Sequence, residues 1–216
     1  MIADNLPKIQ ARIAAACQRA HRDPSSVTLV GVSKFQSVGQ IEEAARAGVK
    51  VFAESRQQEA SSKLPALKQL GTWHFIGHLQ GNKARSVVEL FDVVESVDSL
   101  ALATKLSALA LEAGRRLPVF AQINISGEAQ KYGFPLASAQ ADLDAIAKLP
   151  GLELQGLMGM AAQSENPENA RPAFVALRKL AQSRGGLKLS MGMSADFEVA
   201  IEEGADLVRI GTALFG

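Results

Sequence analysis

Lys34 closes the first strongly apolar run of the chain, Thr28-Leu-Val-Gly-Val-Ser-Lys34. An ammonium at the end of a run destined for burial is costly, and desolvation favours its neutral amine. That amine is the form that condenses with an aldehyde. The last apolar run, Leu207-Val-Arg-Ile-Gly-Thr212, carries Arg209 at its centre and a Gly211-Thr212 pair at its end. A guanidinium keeps its charge, so an arginine inside such a run needs an acceptor. That acceptor is either a neighbouring Asp or Glu or a ligand atom such as a pyridine nitrogen. In the second case the arginine keeps the nitrogen unprotonated, and an unprotonated ring is a poor electron sink. Together the two runs predict a covalently held, phosphorylated aldehyde.

A phosphate needs small residues and donors. In Ser190-Met-Gly-Met-Ser194, Gly192 lets the backbone approach closely, and Ser194 offers a hydroxyl just before a helix expected near Asp196. Helix N-terminal N–H groups favour an anion there, and Gly211-Thr212 supplies the same chemistry from the last strand. Either segment alone reads equally well as an ordinary helix cap. His74, between Trp73 and Phe75, is either a core histidine satisfied by the backbone or a contact to a bound ring. His78 follows four residues later, but two histidines without a thiolate or carboxylate partner make a poor zinc site. No metal centre and no nucleophile–His–acid constellation emerges.

The elements that must position these residues alternate regularly. A helix opens the chain, with Leu6, Ile9, Ile13, Cys17 and Ala20 at helical spacing until Asp23-Pro24. Strand-like runs follow near Val27–Ser33, Val49–Ala53, Trp73–Gly77, Val93–Val97, Val119–Ile125, Leu152–Met158, Leu187–Met191 and Leu207–Ile210. Helical patterns separate them, over Gln57–Gln69, Asn82–Leu90, Ser99–Arg116, Leu136–Lys148, Glu168–Arg184 and Asp196–Glu203. Ser37 and Gln40 form a capping box for one further helix, which ends at Gly48. Short buried strands alternating with helices require parallel pairing. Eight such units predict an α/β fold, a single (β/α)8 TIM barrel over residues 1–216 with an additional N-terminal helix. The alternative is an open doubly wound sheet. No helix is expected after the eighth strand, and the N-terminal helix is expected to fill its place in the outer ring. In a barrel, Lys34, Glu54, His74, Met158, Ser194 and Arg209 all approach the rim at the strand C-termini, where active sites lie.

Composition narrows the function class. Of 216 residues, 47% are hydrophobic, enough for one sizeable core, and 23 basic against 22 acidic residues leave a net charge of +1. No basic stripe points to nucleic acid. No apolar segment reaches the ~20 residues that span a bilayer, and the N-terminus lacks a signal-peptide layout. A cytoplasmic protein is expected. The lone Cys17 reads as a small buried hydrophobe.

Several segments carry a family resemblance: Val32-Ser-Lys34, Trp73-His-Phe-Ile-Gly77 with Leu79-Gln80 and Asn82-Lys83, Gln122-Ile-Asn124, Gly156-Leu-Met158, Leu189-Ser-Met-Gly-Met-Ser194 and Val208-Arg-Ile-Gly-Thr212. Over nearly its whole length the chain resembles the YggS/PROSC family of pyridoxal 5′-phosphate (PLP) homeostasis proteins. The resemblance implies a barrel like the N-terminal domain of alanine racemase, with PLP held as a Schiff base. It further implies that Lys34 is the Schiff-base lysine and Arg209 the pyridine-nitrogen partner. Ser194, Gly211 and Thr212 would hold the phosphate, and His74 and Met158 would line the ring. The chain departs from the usual family pattern at Gln36, where a second lysine is common, and at Ser55 and Arg56, where Asn and Tyr are common. Lys131 matches a family lysine and reads as a solvated loop residue or a secondary PLP contact.

Three functions follow. The first is a PLP carrier and regulator without robust turnover, handing PLP transiently to PLP-dependent apo-enzymes; for it the family suggests a monomer. It is favoured because 216 residues leave no second domain to supply a base on the opposite ring face. The second is a weak PLP-dependent amino-acid racemase or related PLP enzyme, with His74 or Lys131 as the second acid/base. The third is a Schiff-base aldolase for a phosphorylated sugar.

Overall fold

The computed structural model describes residues 2–128 and 130–216. Eight parallel strands form one sheet: β1 Thr28–Val32, β2 Val51–Glu54, β3 Thr72–Phe75, β4 Val93–Val97, β5 Leu117–Asn124, β6 Leu152–Gly159, β7 Lys188–Met193 and β8 Leu207–Ile210. Each pairs with its sequence neighbour, and β1 pairs with β8, so the sheet closes into a barrel. The helices are α1 Ile2–Arg19, α2 Val38–Ala47, α3 Gln57–Leu67, α4 Ala84–Leu90, α5 Leu100–Glu112, α6 Ala139–Ala147, α7 Arg171–Gln182, α8 Phe197–Glu202 and α9 Thr212–Phe215. The (β/α)8 barrel expected from the alternation is the observed fold.

Alternation along each strand sorts side chains between two cores. Val30, Val32, Ala53, Val93, Phe120 and Met158 pack together inside the barrel. The larger core lies between strands and helices, where Phe52 and Trp73 stack with centroids 5.1 Å apart. Gly156 makes the interior possible: a Cβ there would lie 2.4 Å from the Phe120 ring. Helix boundaries follow local chemistry. The Ser37 hydroxyl accepts from the Gln40 amide, and the Gln40 side chain accepts from the Ser37 amide. Gly48 closes the same helix at φ 117°, a left-handed conformation that costs glycine little.

Two elements differ from expectation. The four-residue α9 follows β8, where no helix was expected; four residues are too few to show a helical period. Phe134–Pro135 adds a two-residue parallel strand beside the end of β5, so α6 starts at Ala139 and not near Leu136. The N-terminal helix does fill the ring, packing against α2, α8 and α9. Its buried stripe of Ile2, Leu6, Ile9, Ile13 and Cys17 holds it there. The exposed Arg12–Glu198 and Arg19–Glu202 pairs add little, since such pairs are worth about 0–1 kcal/mol each. Among the described residues no helix is long and apolar enough to cross a membrane.

Candidate functional site

The chain leaves β1 through a clamped turn. Ser33 is buried and turns away from the barrel axis, its hydroxyl donating to Glu54 Oε1 at 2.7 Å. Phe35 adopts φ 65°, and its amide donates to Glu59 Oε1 at 2.7 Å. Lys63 ties this carboxylate down by a direct ion pair and also donates to the Ser33 carbonyl at 3.3 Å. Between the two anchored residues Lys34 projects into a cleft at the C-terminal rim, and it is exposed. The desolvation expected from its place in the sequence is therefore absent. β1 ends at Val32, and the turn lifts Lys34 clear of the buried run.

Burial pushes the Glu54 carboxyl above the usual range, and the Ser33 hydrogen bond and the Lys63 charge reverse this only in part. The folded state therefore disfavours ionised Glu54. Stability associated with its protonated form is present at low pH and is lost as pH rises through the raised pKa. The Tm difference between Glu54→Gln and the wild type is expected to move in the variant's favour from about pH 4 to about pH 8. A pH-independent difference in paired thermal melts would refute this.

The cleft occupies about 360 Å3, within the size range of small-ligand pockets. Lys34, Ser194, Arg209, Gly211 and Thr212 line it, with Val32, Ile76 and Met160 as apolar wall. Arg209 lies on the floor, 3% exposed. Its Nη1 donates to Ser190 Oγ at 2.7 Å and stands 4.0 Å from Glu95 Oε2, while Nη2 donates to the Gly159 carbonyl at 3.1 Å. Glu95 is wholly buried; its Oε1 lies 2.5 Å from His74 Nδ1, and its Oε2 accepts from Ser190 Oγ at 2.5 Å. Burial alone would raise the Glu95 carboxyl. The hydrogen bond and charge of His74, with Arg209 and Ser190, outweigh it and hold the group below the usual range. Burial lowers Arg209, with Glu95 and Asp196 opposing.

At the other end, Gly192 turns the chain at φ 90°. Ser194 Oγ accepts from the Ala213 amide at 3.4 Å, joining the loop after β7 to the first turn of α9. Asp196 Oδ1 accepts from the Met193 amide at 2.7 Å. A Cβ on Gly192 would sit 2.6 Å from Ala200 Cβ and 2.9 Å from Phe197 Cα. Gly192→Ala must therefore strain its backbone and displace α8. It is expected to destabilise the fold by at least about 1–2 kcal/mol, measurable by urea unfolding; a loss below about 0.5 kcal/mol counts against this.

The structure thus brings five of the seven sequence-selected residues to one cleft. His74 lies deeper, on Glu95, and is 6% exposed. Met158 is packed in the barrel interior, while Met160, two residues further along β6 and its continuation, lines the cleft. Lys131 pairs with Glu128 at 2.6 Å on the loop after β5. Sequence reasoning did not select Glu95 or Ser190. The available signal for Glu95 was an acid inside an otherwise apolar strand, Val93-Val-Glu-Ser-Val97. Among the described residues no group of three or more His, Cys, Asp or Glu is arranged to hold a metal.

A closed parallel barrel with a lysine just past β1, an arginine inside β8 and hydroxyl-bearing loops after β7 and β8 defines a barrel of the alanine racemase type. The family model described as the alanine racemase N-terminal domain matches residues 5–216. Pyridoxal phosphate homeostasis proteins of Pseudomonas aeruginosa and Escherichia coli are 44% and 42% identical to the chain. Both alignments cover 100% of it, with 95% and 96% of the respective relatives. The solved structure of PipY from Synechococcus elongatus with PLP bound aligns with a TM-score of 0.85 at 36% identity, over 100% of both chains. The chain belongs to the pyridoxal phosphate homeostasis protein family.

Proposed function

We propose that this protein binds PLP in the rim cleft and serves intracellular PLP homeostasis, holding the cofactor by a Schiff base on Lys34 without robust turnover. The observation that carries the reading is the convergence, in one cleft of about 360 Å3, of a lysine, a buried arginine and two hydroxyl-bearing loops. Their chemistry fits the cofactor's three polar ends. Lys34 offers the amine for the aldehyde. Arg209 offers N–H groups to the ring nitrogen, and as a permanent cation it disfavours a protonated ring. Ser194 and Thr212 offer hydroxyls to the phosphate, and Gly211 leaves the backbone bare beside them. Val32, Ile76 and Met160 supply apolar surface for the ring, with His74 below. When bound, PLP supplies an aldehyde for reversible covalent attachment.

The non-catalytic part is supported by where the two sequence candidates for a second acid/base stand: neither lines the cleft that holds Lys34. Both sequence candidates are engaged: His74 with Glu95, and Lys131 with Glu128. PLP homeostasis through transient delivery to apo-enzymes, action as a monomer and a cytoplasmic location complete the proposal.

Titrating the purified protein with PLP, then reducing with borohydride and mapping the labelled peptide, tests the attachment. The expected result is a visible absorption band, abolished by reduction, with the mass increment on Lys34. A protein that stays colourless in excess PLP overturns the reading and returns the aldolase alternative. Chiral analysis of several amino acids incubated with the loaded protein tests turnover. Sustained interconversion of D and L forms that depends on Lys34 overturns the non-catalytic part.

A further inference from the structure

Glu95 is a wholly buried charge in the barrel interior. It lies on β4, four strands from β8 in either direction around an eight-stranded barrel, so it faces Arg209 from the opposite wall. Both its oxygens are committed, Oε1 to His74 on β3 and Oε2 to Ser190 on β7. Ser190 in turn accepts from Arg209 Nη1, and Gly159 on β6 accepts from Nη2. Five strands thus contribute to one hydrogen-bonded belt beneath the cleft. An ionised carboxylate with no exposure costs several kcal/mol of desolvation unless its partners are well placed. An apolar residue would fill the same space without that cost.

The belt has a directional consequence. A guanidinium carries five N–H donors in a rigid planar fork. Fixing Nη1 and Nη2 against Ser190 and Gly159 sets the plane of that fork and hence the reach of the edge left toward the cleft. The Ser190 hydroxyl has one proton, which it gives to Glu95, so its lone pair is turned to Arg209. Without the carboxylate that hydroxyl is free to rotate, and the arginine loses both its nearest anion and its fixed acceptor.

We propose that Glu95 is a positioning residue for the cofactor ring, acting through Ser190 to hold Arg209 against the pyridine nitrogen. The inference rests on the PLP reading of the cleft. A belt that served stability alone would not distinguish between ligands differing only at the ring nitrogen.

The test uses the full-length protein and two ligands, PLP and its 1-deaza analogue, in which a C–H replaces the ring nitrogen. Dissociation constants are measured for the wild type, Glu95→Gln and Glu95→Asp. Glu95→Gln keeps the shape and removes the charge; Glu95→Asp keeps the charge and shortens the reach. The expected result for Glu95→Gln is affinity for PLP lower by roughly tenfold or more, as for loss of one partner of a buried charged pair. Affinity for the deaza analogue should stay within about twofold of the wild type. The absorption maximum of bound PLP should shift in Glu95→Gln and not with the analogue. Equal losses for both ligands, or no loss for either, overturn the inference. If Glu95→Gln fails to fold, Glu95→Asp decides by the same comparison. A wild type that binds neither ligand overturns the PLP reading itself, an outcome separate from these.

Discussion

Lys34→Ala is expected to lose all borohydride-stable capture of PLP while melting within about 1 kcal/mol of the wild type. The two halves of this expectation have different origins. The turn that presents Lys34 is held by its neighbours: Ser33 on Glu54, and the Phe35 amide on Glu59 with Lys63. The Lys34 side chain itself is exposed, and among the described residues Lys34 takes part in a hydrogen bond through its backbone carbonyl, a long one of 3.5 Å from the Gln36 side chain. Truncating such a side chain usually changes stability by no more than about 0.5 kcal/mol. Covalent capture needs an amine at this place, and alanine has none. Intact mass after reduction, together with a thermal melt, decides both halves. Residual label on the variant, mapped to Lys131 or another lysine, would move the attachment point. A large drop in Tm would mean that the exposed side chain carries structure after all.

Arg209→Met is expected to be the more damaging change to the fold. Methionine has a similar length and keeps the packing of the arginine's aliphatic stem, so little packing is lost. What it leaves behind is Glu95, wholly buried and deprived of its nearby guanidinium. Breaking a buried pair from one side costs up to roughly 3–5 kcal/mol, and the bonds Glu95 keeps to His74 and Ser190 hold the loss toward or below the lower end. The cost belongs to the ionised carboxylate, which gives it a pH dependence. In the wild type Glu95 is held below the usual carboxylate range, so its stabilising contribution is present above about pH 4.3 and fades as pH falls through the lowered value. In Arg209→Met burial is opposed by His74 and Ser190 without the guanidinium, and the carboxyl moves upward. The gap between the two proteins should therefore be widest near neutrality and close as the solution is acidified. Urea unfolding at several pH values between about 4 and 8 measures it. A gap that is the same at every pH would place the damage in lost packing and in the lost bonds to Ser190 and Gly159, and not in the Glu95 charge. PLP affinity should fall as well, since the ring nitrogen loses its donor.

These two residues also show how unevenly the site could be read from the sequence. Lys34 and Arg209 were legible because each is a charge set in an apolar run, and the rhythm of eight such runs placed both near one rim. Gly192, Ser194, Gly211 and Thr212 followed, since small and hydroxyl-bearing residues after the last two strands have few other uses together. Glu95 has the same kind of signature as Arg209, an ion inside a strand, yet it was not selected, because its partners stand 21, 95 and 114 residues away in sequence. Met160 displaced Met158 at the cleft wall for a related reason. Both share a strand face, and depth along the barrel axis depends on the register of β6 with β5 and β7.

By itself the sequence determined what short-range forces settle. The alternation of apolar period with helical period dictated eight parallel units. Ser37, Gln40 and Gly48 marked the ends of one helix through their own hydrogen bonds and backbone freedom. Capping and periodicity act over a few residues, so they are written in a few residues. Tertiary structure decided the rest. Closure of β1 onto β8 brought Lys34 and Arg209 to one cleft, and a turn fixed by Glu59 and Lys63 left the lysine in solvent, where its sequence neighbours had implied burial. The same closure set Glu95 across from Arg209. Burial and charge pairing are properties of the space around a group, and that space is filled by residues from every strand of the barrel.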